Sequence, residues 1–100
     1  MKAVLIDPVA SAVTSVELEE LDAIKTEIGF ETIIADEIDG TTDKLYFDED
    51  CFIRGTKGRF QLDSLPPVAG RAFVVGAVSD CAATDCELTV EELEGRIKFI

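Results

Sequence analysis

Two unbroken apolar runs constrain this chain most: Ala3-Val4-Leu5-Ile6 near its start and Ala72-Phe73-Val74-Val75-Gly76-Ala77-Val78 in its last third. Successive side chains of a strand point to opposite faces, so a run with no polar residue needs cover on both. Each run therefore predicts a central strand, and Asp7-Pro8 ends the first. Parallel strands need crossovers of a dozen or more residues, and most links here are shorter. The expected fold is α+β: a single domain over residues 1–100, with a mainly antiparallel sheet of about five to six strands. One hundred residues suit one compact domain. No repeat, low-complexity segment or linker divides the chain.

Between the runs the pattern changes character. Val13 to Val16 reads either as a second strand or as the lead-in to a helix. From Glu17 to Ile28 the period is helical, with Leu18, Leu21, Ile24 and Ile28 on one stripe. Thr14 and Glu17 have capping-box spacing, the acids Glu17, Glu19, Glu20 and Asp22 suit a first turn, and Gly29 suits a left-handed C-cap. Thr32 to Ile38 and Lys44 to Asp48 read as strands either side of the turn pair Asp39-Gly40, with Leu45 and Phe47 sharing a face. Phe52-Ile53 and Phe60-Gln61-Leu62 predict a hairpin around Gly55 to Gly58. Pro66-Pro67 breaks the chain. A loop from Asp80 to Leu88 leads to a short helix over 89–95, where Thr89 and Glu92 match a capping box. Arg96 to Ile100 closes the chain as an edge strand with its basic residues outward.

The charge is large and uneven. The formal net charge is −12, from 21 acids and 9 bases. Residues 1–50 hold 14 acids and 3 bases, while residues 51–100 hold 7 and 6. Residues 17–50 alone carry 13 acids against Lys25 and Lys44, a net of −11. Residues 54–71 reverse the sign, with Arg54, Lys57, Arg59 and Arg71 against Asp63. A coat for solubility or high salt would spread the acids more evenly. At 47% hydrophobic residues the chain builds a core, unlike a disordered acidic tail. Its charge argues against direct contact with nucleic acid or anionic lipid. No apolar run approaches the ~18–20 residues of a membrane span, and residues 3–6 fall short of a signal peptide's ~7–15. The expected location is cytoplasmic.

The same composition narrows the chemistry. The chain has no His, which removes the commonest general base and metal ligand near neutral pH, and with it Ser–His and Cys–His pairs. Neither a P-loop nor a GxGxxG pattern occurs. Catalysis would rest on carboxylates in a deep cleft, usually with aromatic walls, and the chain has one Tyr and no Trp. No catalytic residue, metal or cofactor is called for. Cys51, Cys81 and Cys86 are an odd set whose spacing fits neither CxxC nor a zinc site, so reduced thiols are expected, with a Cys81–Cys86 bridge the alternative. The acids from Asp36 to Asp43 lack the spacing of a calcium loop, because Ile38 stands where an oxygen ligand belongs.

What remains is the acidic stretch itself. Glu19, Glu20, Asp22 and Glu27 fall on the polar side or border of the expected helix, Asp36, Glu37 and Asp39 crowd one turn, and Asp48, Glu49 and Asp50 another. Gathered on one side, these ten carboxylates approximate the charge of duplex DNA, which carries one negative charge per ~1.7 Å of axis. They are the expected partner-binding residues. The competing reading is acidity for solubility and capping alone.

Leu45-Tyr46-Phe47-Asp48-Glu49-Asp50, Phe52-Ile53-Arg54-Gly55 and Pro66-Pro67-Val68-Ala69-Gly70-Arg71-Ala72-Phe73-Val74-Val75-Gly76, with Thr89 to Leu93 after them, resemble a small domain family of unknown function found in bacteriophage, plasmid and bacterial mobile-element proteins. The resemblance spans some ~60 residues and implies a genetic setting but no activity, cofactor or catalytic residue. With the localised charge of residues 17–50, that setting leads to the expectation of a non-enzymatic inhibitor or interaction protein. Such a protein would present the acids of 17–50 to the basic, nucleic-acid-binding site of a host defence or regulatory protein, as an anti-restriction or anti-CRISPR DNA mimic does. The alternative is a small structural or regulatory module with apolar contacts, through the strand Arg96 to Ile100 or by self-association.

Overall fold

The computed structural model describes residues 1–79 and 82–100. Strands β1 (Lys2–Asp7) and β2 (Ala12–Glu17) form a hairpin and lead into helix α1 (Ala23–Ile28). Strands β3 (Ile33–Glu37), β4 (Lys44–Asp48), β5 (Arg59–Leu62), β6 (Val68–Ala69), β7 (Ala72–Val75), β8 (Val78–Ser79) and β9 (Ala82–Ala83) follow, then helix α2 (Val90–Glu94) and β10 (Ile97–Phe99). The domain is α+β, and all the described strand pairs are antiparallel. In place of one sheet of five to six strands there are three, ordered β2-β1-β7-β4-β3, β10-β5-β6 and β8-β9. Strands β1 and β7 lie inside the five-stranded sheet, as their apolar runs require.

Both faces of that sheet are covered. On one, Ala3, Phe73 and Val75, with the partly buried Leu5, Val16, Ile33 and Tyr46, pack beneath Leu18, Leu21, Ile24 and Ile28. On the other, Val4, Ile6, Leu45, Phe47, Ala72 and Val74 meet Phe60, Leu62 and Val68 of the second sheet, together with Leu88 and Leu93. Ile24 is the buried residue of α1. Burying a side chain of that size contributes roughly 1.5–3 kcal/mol, enough to hold a six-residue helix that would not form alone.

The expected helix over 17–28 is corrected to Ala23–Ile28, because the residues before it complete a hairpin instead. Strand β2 pairs with β1 through Lys2↔Glu17. At that end the Met1 ammonium donates to the Leu18 carbonyl at 2.7 Å and to Glu17 Oε1 at 3.1 Å. The β-branched Val13, Thr14 and Val16 favour the strand. Thr14 and Glu17 are therefore ladder residues rather than a capping box, and the first turn of α1 holds no acid. Leu18 and Leu21 still reach the face that their spacing suggested, from a turn instead of a helix. Gly29 caps α1 in the left-handed region, at φ 89°.

The hairpin expected from Phe52-Ile53 to Phe60 is also corrected. Residues 49–55 form turns and Phe52 is exposed; β5 pairs instead with β6 and β10. The run from Ala72 to Val78 stops as a central strand at Val75. There the Gly76 amide turns to the Thr84 carbonyl at 3.0 Å, and a Cβ on Gly76 would collide with the Asp85 carbonyl. The second capping box does form: Thr89 accepts from the Glu92 amide, and Glu92 accepts from the Thr89 amide. Strand β10 is an edge with Lys98 outward, but Arg96 is held by Asp63 and donates to the Asp39 carbonyl.

Candidate functional site

Strand register decides where the ten expected carboxylates go. Lys2↔Glu17, Lys44↔Val75 and Glu37↔Lys44 bring the end of β2, the start of β4 and the end of β3 to one end of the large sheet. Glu19, Glu20 and Asp22 follow directly from β2 there, and Asp36, Glu37 and Asp39 lie where β3 ends. The opposite end, where Ile33 pairs with Asp48 and Ile6 with Ala72, holds Asp48, Glu49 and Asp50. Glu27 belongs there too, since it lines a cleft with Asp7, Asp48 and Arg71. The ten acids are thus divided between two ends rather than gathered on one side.

Asp48 is also not a surface charge. It is 2% exposed and accepts hydrogen bonds from the Thr32 hydroxyl, from the Asp50 amide at 3.1 Å and from Arg54 Nε at 2.8 Å. Arg54 donates in turn to Thr32 Oγ1 at 3.0 Å and lies 4.0 Å over the Phe30 ring. Burial pushes the Asp48 carboxyl up. The bonds from Thr32, Asp50 and Arg54, with the Arg54 charge, outweigh burial and hold it below the ordinary carboxylate value. The side chain fastens the 49–55 turn to the start of β3, and a charge committed to that task is unavailable to a partner.

Asp43, which the sequence suggested only as part of an unconvincing calcium loop, has a matching role at the other end. It is 1% exposed and accepts from the Glu87 amide at 2.8 and 3.0 Å and from the Leu88 amide at 2.8 Å. Its position directly before an apolar-alternating strand gave no sign of this, because the donors are backbone groups 44 and 45 residues away. Among the described residues no group of three or more His, Cys, Asp or Glu is placed to hold a metal ion. Cys51 is a buried thiol that accepts from the Ala69 amide at 3.4 Å. Burial, then the nearby Asp43 charge, pushes the Cys86 thiol up. Asp80 and Cys81, and so the alternative of a Cys81–Cys86 bridge, lie outside the described residues.

The six acids at the first end differ from these two. Glu19, Glu20, Asp22, Glu37 and Asp39 are exposed, Asp36 is half-buried, and none of the six side chains forms an ion pair among the described residues. Five strands at ~4.8 Å spacing make that end ~19 Å wide. Lys2 and Lys44 stand at the same end, so the six carboxylates leave a net of four charges over that width, about one per ~5 Å against ~3.4 Å per phosphate of a single DNA strand.

The opposite end has another character. A cleft of about 340 Å³ is lined by Val9, Ile28, Phe30 and Ala69 as well as by Glu27, Lys57 and Arg71. Val9 and Ile53 project into solvent near the basic stretch, and Arg59 lies 5.5 Å over the Phe52 ring. No protein-family model, curated protein or solved structure matches the chain. Among the described residues no helix is long and apolar enough to cross a membrane.

Proposed function

We propose that this protein is a non-enzymatic interaction or inhibitor protein, phage or mobile-element encoded, whose acidic end occupies the basic nucleic-acid-binding site of a host defence or regulatory protein. The observation that carries the reading is the set Glu19, Glu20, Asp22, Asp36, Glu37 and Asp39: six carboxylates at one end of the large sheet, in no ion pair among the described residues and outnumbering Lys2 and Lys44 there. A groove of Lys and Arg built for phosphates would bind such an end with steep salt dependence. The mobile-element setting rests on the sequence resemblance. Glu27, Glu49 and Asp50, at the other end, are peripheral to this surface, and Asp48 belongs to the framework.

The test pairs two charge-reversed variants against a host nucleic-acid-binding protein recovered from cytoplasmic extract at low salt. Lys at positions 19, 22, 37 and 39 is expected to weaken binding at least tenfold and flatten its salt dependence. Lys at 27 and 49 is expected to change it less than threefold. Equal effects of the two variants, or failure of the wild-type protein to displace duplex DNA from the captured partner, would overturn the reading.

A second reading draws on the exposed Val9, Phe52 and Ile53, the last 86% exposed, which flank the basic stretch. A regulatory module that binds through apolar contacts would use that end, and its complex would persist at high salt.

A further inference from the structure

The five-stranded sheet has two edge strands, β2 and β3. Helix α2 packs on β2, where Val90 and Leu93 join Val13 over one face. Strand β3 has β4 on one side and, among the described residues, no strand on the other. The bonds Glu49 N–H to the Thr32 carbonyl at 2.7 Å and Ile38 N–H to the Asp43 carbonyl at 3.2 Å fix the phase of the β3–β4 ladder. Alternate residues bond inward, so Ile34 and Asp36 use their backbone groups on β4. Ile33, Ala35 and Glu37 aim their N–H and C=O groups at the open side, where they have no partner among the described residues.

An exposed edge is normally blunted by Lys, Pro or a bulge. Residues 31–39 (Glu-Thr-Ile-Ile-Ala-Asp-Glu-Ile-Asp) contain neither Lys nor Pro, and the register from Ile33 to Glu37 is unbroken by a bulge. The charges along this edge, Glu31, Asp36, Glu37 and Asp39, are all of one sign. They repel a second copy of the same strand, since pairing would crowd like charges on one ladder. They attract a strand of opposite charge. Ile34 is 36% exposed directly across from the buried Phe47, so its outer side lacks the neighbour that an added strand would bring.

We propose that β3 receives a basic, extended segment of a partner protein as a sixth strand of the large sheet, with Lys or Arg beside Glu37 on one face and an apolar residue beside Ile34 on the other. Main-chain bonds to Ile33, Ala35 and Glu37 supply the attachment, and side-chain alternation supplies the selectivity. This rests on the acidic-surface reading and specifies how that surface would be engaged.

The probe is a nine-residue peptide of alternating Lys and Val, added to the intact protein at low salt and followed by amide hydrogen exchange. At saturation the Ile33, Ala35 and Glu37 amides are expected to slow at least tenfold, while those of Ile34 and Asp36 stay unchanged. Ala35→Pro removes only an outward donor and is expected to weaken the peptide at least tenfold. A peptide of the same charge interrupted by prolines is expected to bind at least tenfold less tightly. Absence of binding, binding without protection of those three amides, or equal binding of the interrupted peptide would overturn the proposal. The two readings fail separately. If the captured host protein is lost on reversal of residues 19, 22, 37 and 39 but indifferent to Ala35→Pro, strand addition is wrong and the acidic end stands; if it is indifferent to the reversals, the acidic end itself is wrong.

Discussion

Replacing Asp43 by Ala removes the acceptor for the Glu87 and Leu88 amides, both bound at 2.8 Å in a site where the carboxylate is 1% exposed. Hydrogen bonds to a charged group contribute roughly 1.5–3 kcal/mol each, and an amide left without a partner costs roughly 1–3 kcal/mol. Part of this is offset, because the variant no longer buries a carboxylate. The expected net loss is about 2–4 kcal/mol, out of the ~5–15 kcal/mol typical of a domain. At ~4–8 °C per kcal/mol for a chain of this size, the melting temperature should fall by roughly 10–30 °C. Asp43→Asn is expected to lose about 1–2 kcal/mol: its oxygen can serve both amides from the Oδ2 position, while its NH2 then faces the Glu87 N–H. Urea unfolding of both variants beside the exposed Asp39→Ala checks the order, and exchange of the Glu87 and Leu88 amides checks the location. If Asp43→Ala falls within ~0.5 kcal/mol of Asp39→Ala, a range normal for surface changes, the carboxylate does not hold the 86–88 segment.

Three further outcomes are expected. The Asp48 carboxyl is held below its ordinary value, so the stability it contributes is complete above the unfolded pKa of ~3.9 and is lost as pH falls through the lowered folded value. Asp48→Asn should flatten the fall in stability below about pH 4, seen in urea midpoints from pH 2 to 7; an unchanged acid limb would contradict this. At pH 7 the same variant should lose about 2–3 kcal/mol, less than for a wholly buried pair because Arg54 is one-third exposed. Gly76→Ala should cost more than ~2 kcal/mol by thermal unfolding, since its Cβ would stand against the Asp85 carbonyl and within 2.8 Å of the Thr84 carbonyl. Thr89→Ala removes half of a reciprocal cap and should cost ~1 kcal/mol in the same assay.

The framework was legible where one local rule acted alone. The apolar runs located β1 and β7, alternation located β4, and the Thr89–Glu92 spacing located α2. Reading failed where two rules competed. Val13 to Ile28 satisfies both β propensity and a helical stripe, and the chain resolves the conflict by ending a strand at Glu17 and starting a helix at Ala23. Nothing local reveals that β1 has a partner to extend through Glu17, because that depends on pairing 15 residues away. The candidate site suffered likewise. Charge density along residues 17–50 is a one-dimensional quantity, but β3 and β4 run in opposite directions and carry adjacent acids to opposite ends. Asp48 and Asp43 look like their exposed neighbours in sequence, and only the folded donors around them tell them apart.

Asp43 and Asp48 stand just before and at the close of one strand, and each grips peptide N–H groups: those of Glu87 and Leu88 for the first, that of Asp50 for the second. A backbone donor is the same whichever side chain follows it. The loops held in this way can change their exposed residues, and so the sign and spacing of surface charge, without loosening their hold on the sheet. Two fixed carboxylates therefore leave the surface around them free to drift while the fold stays the same.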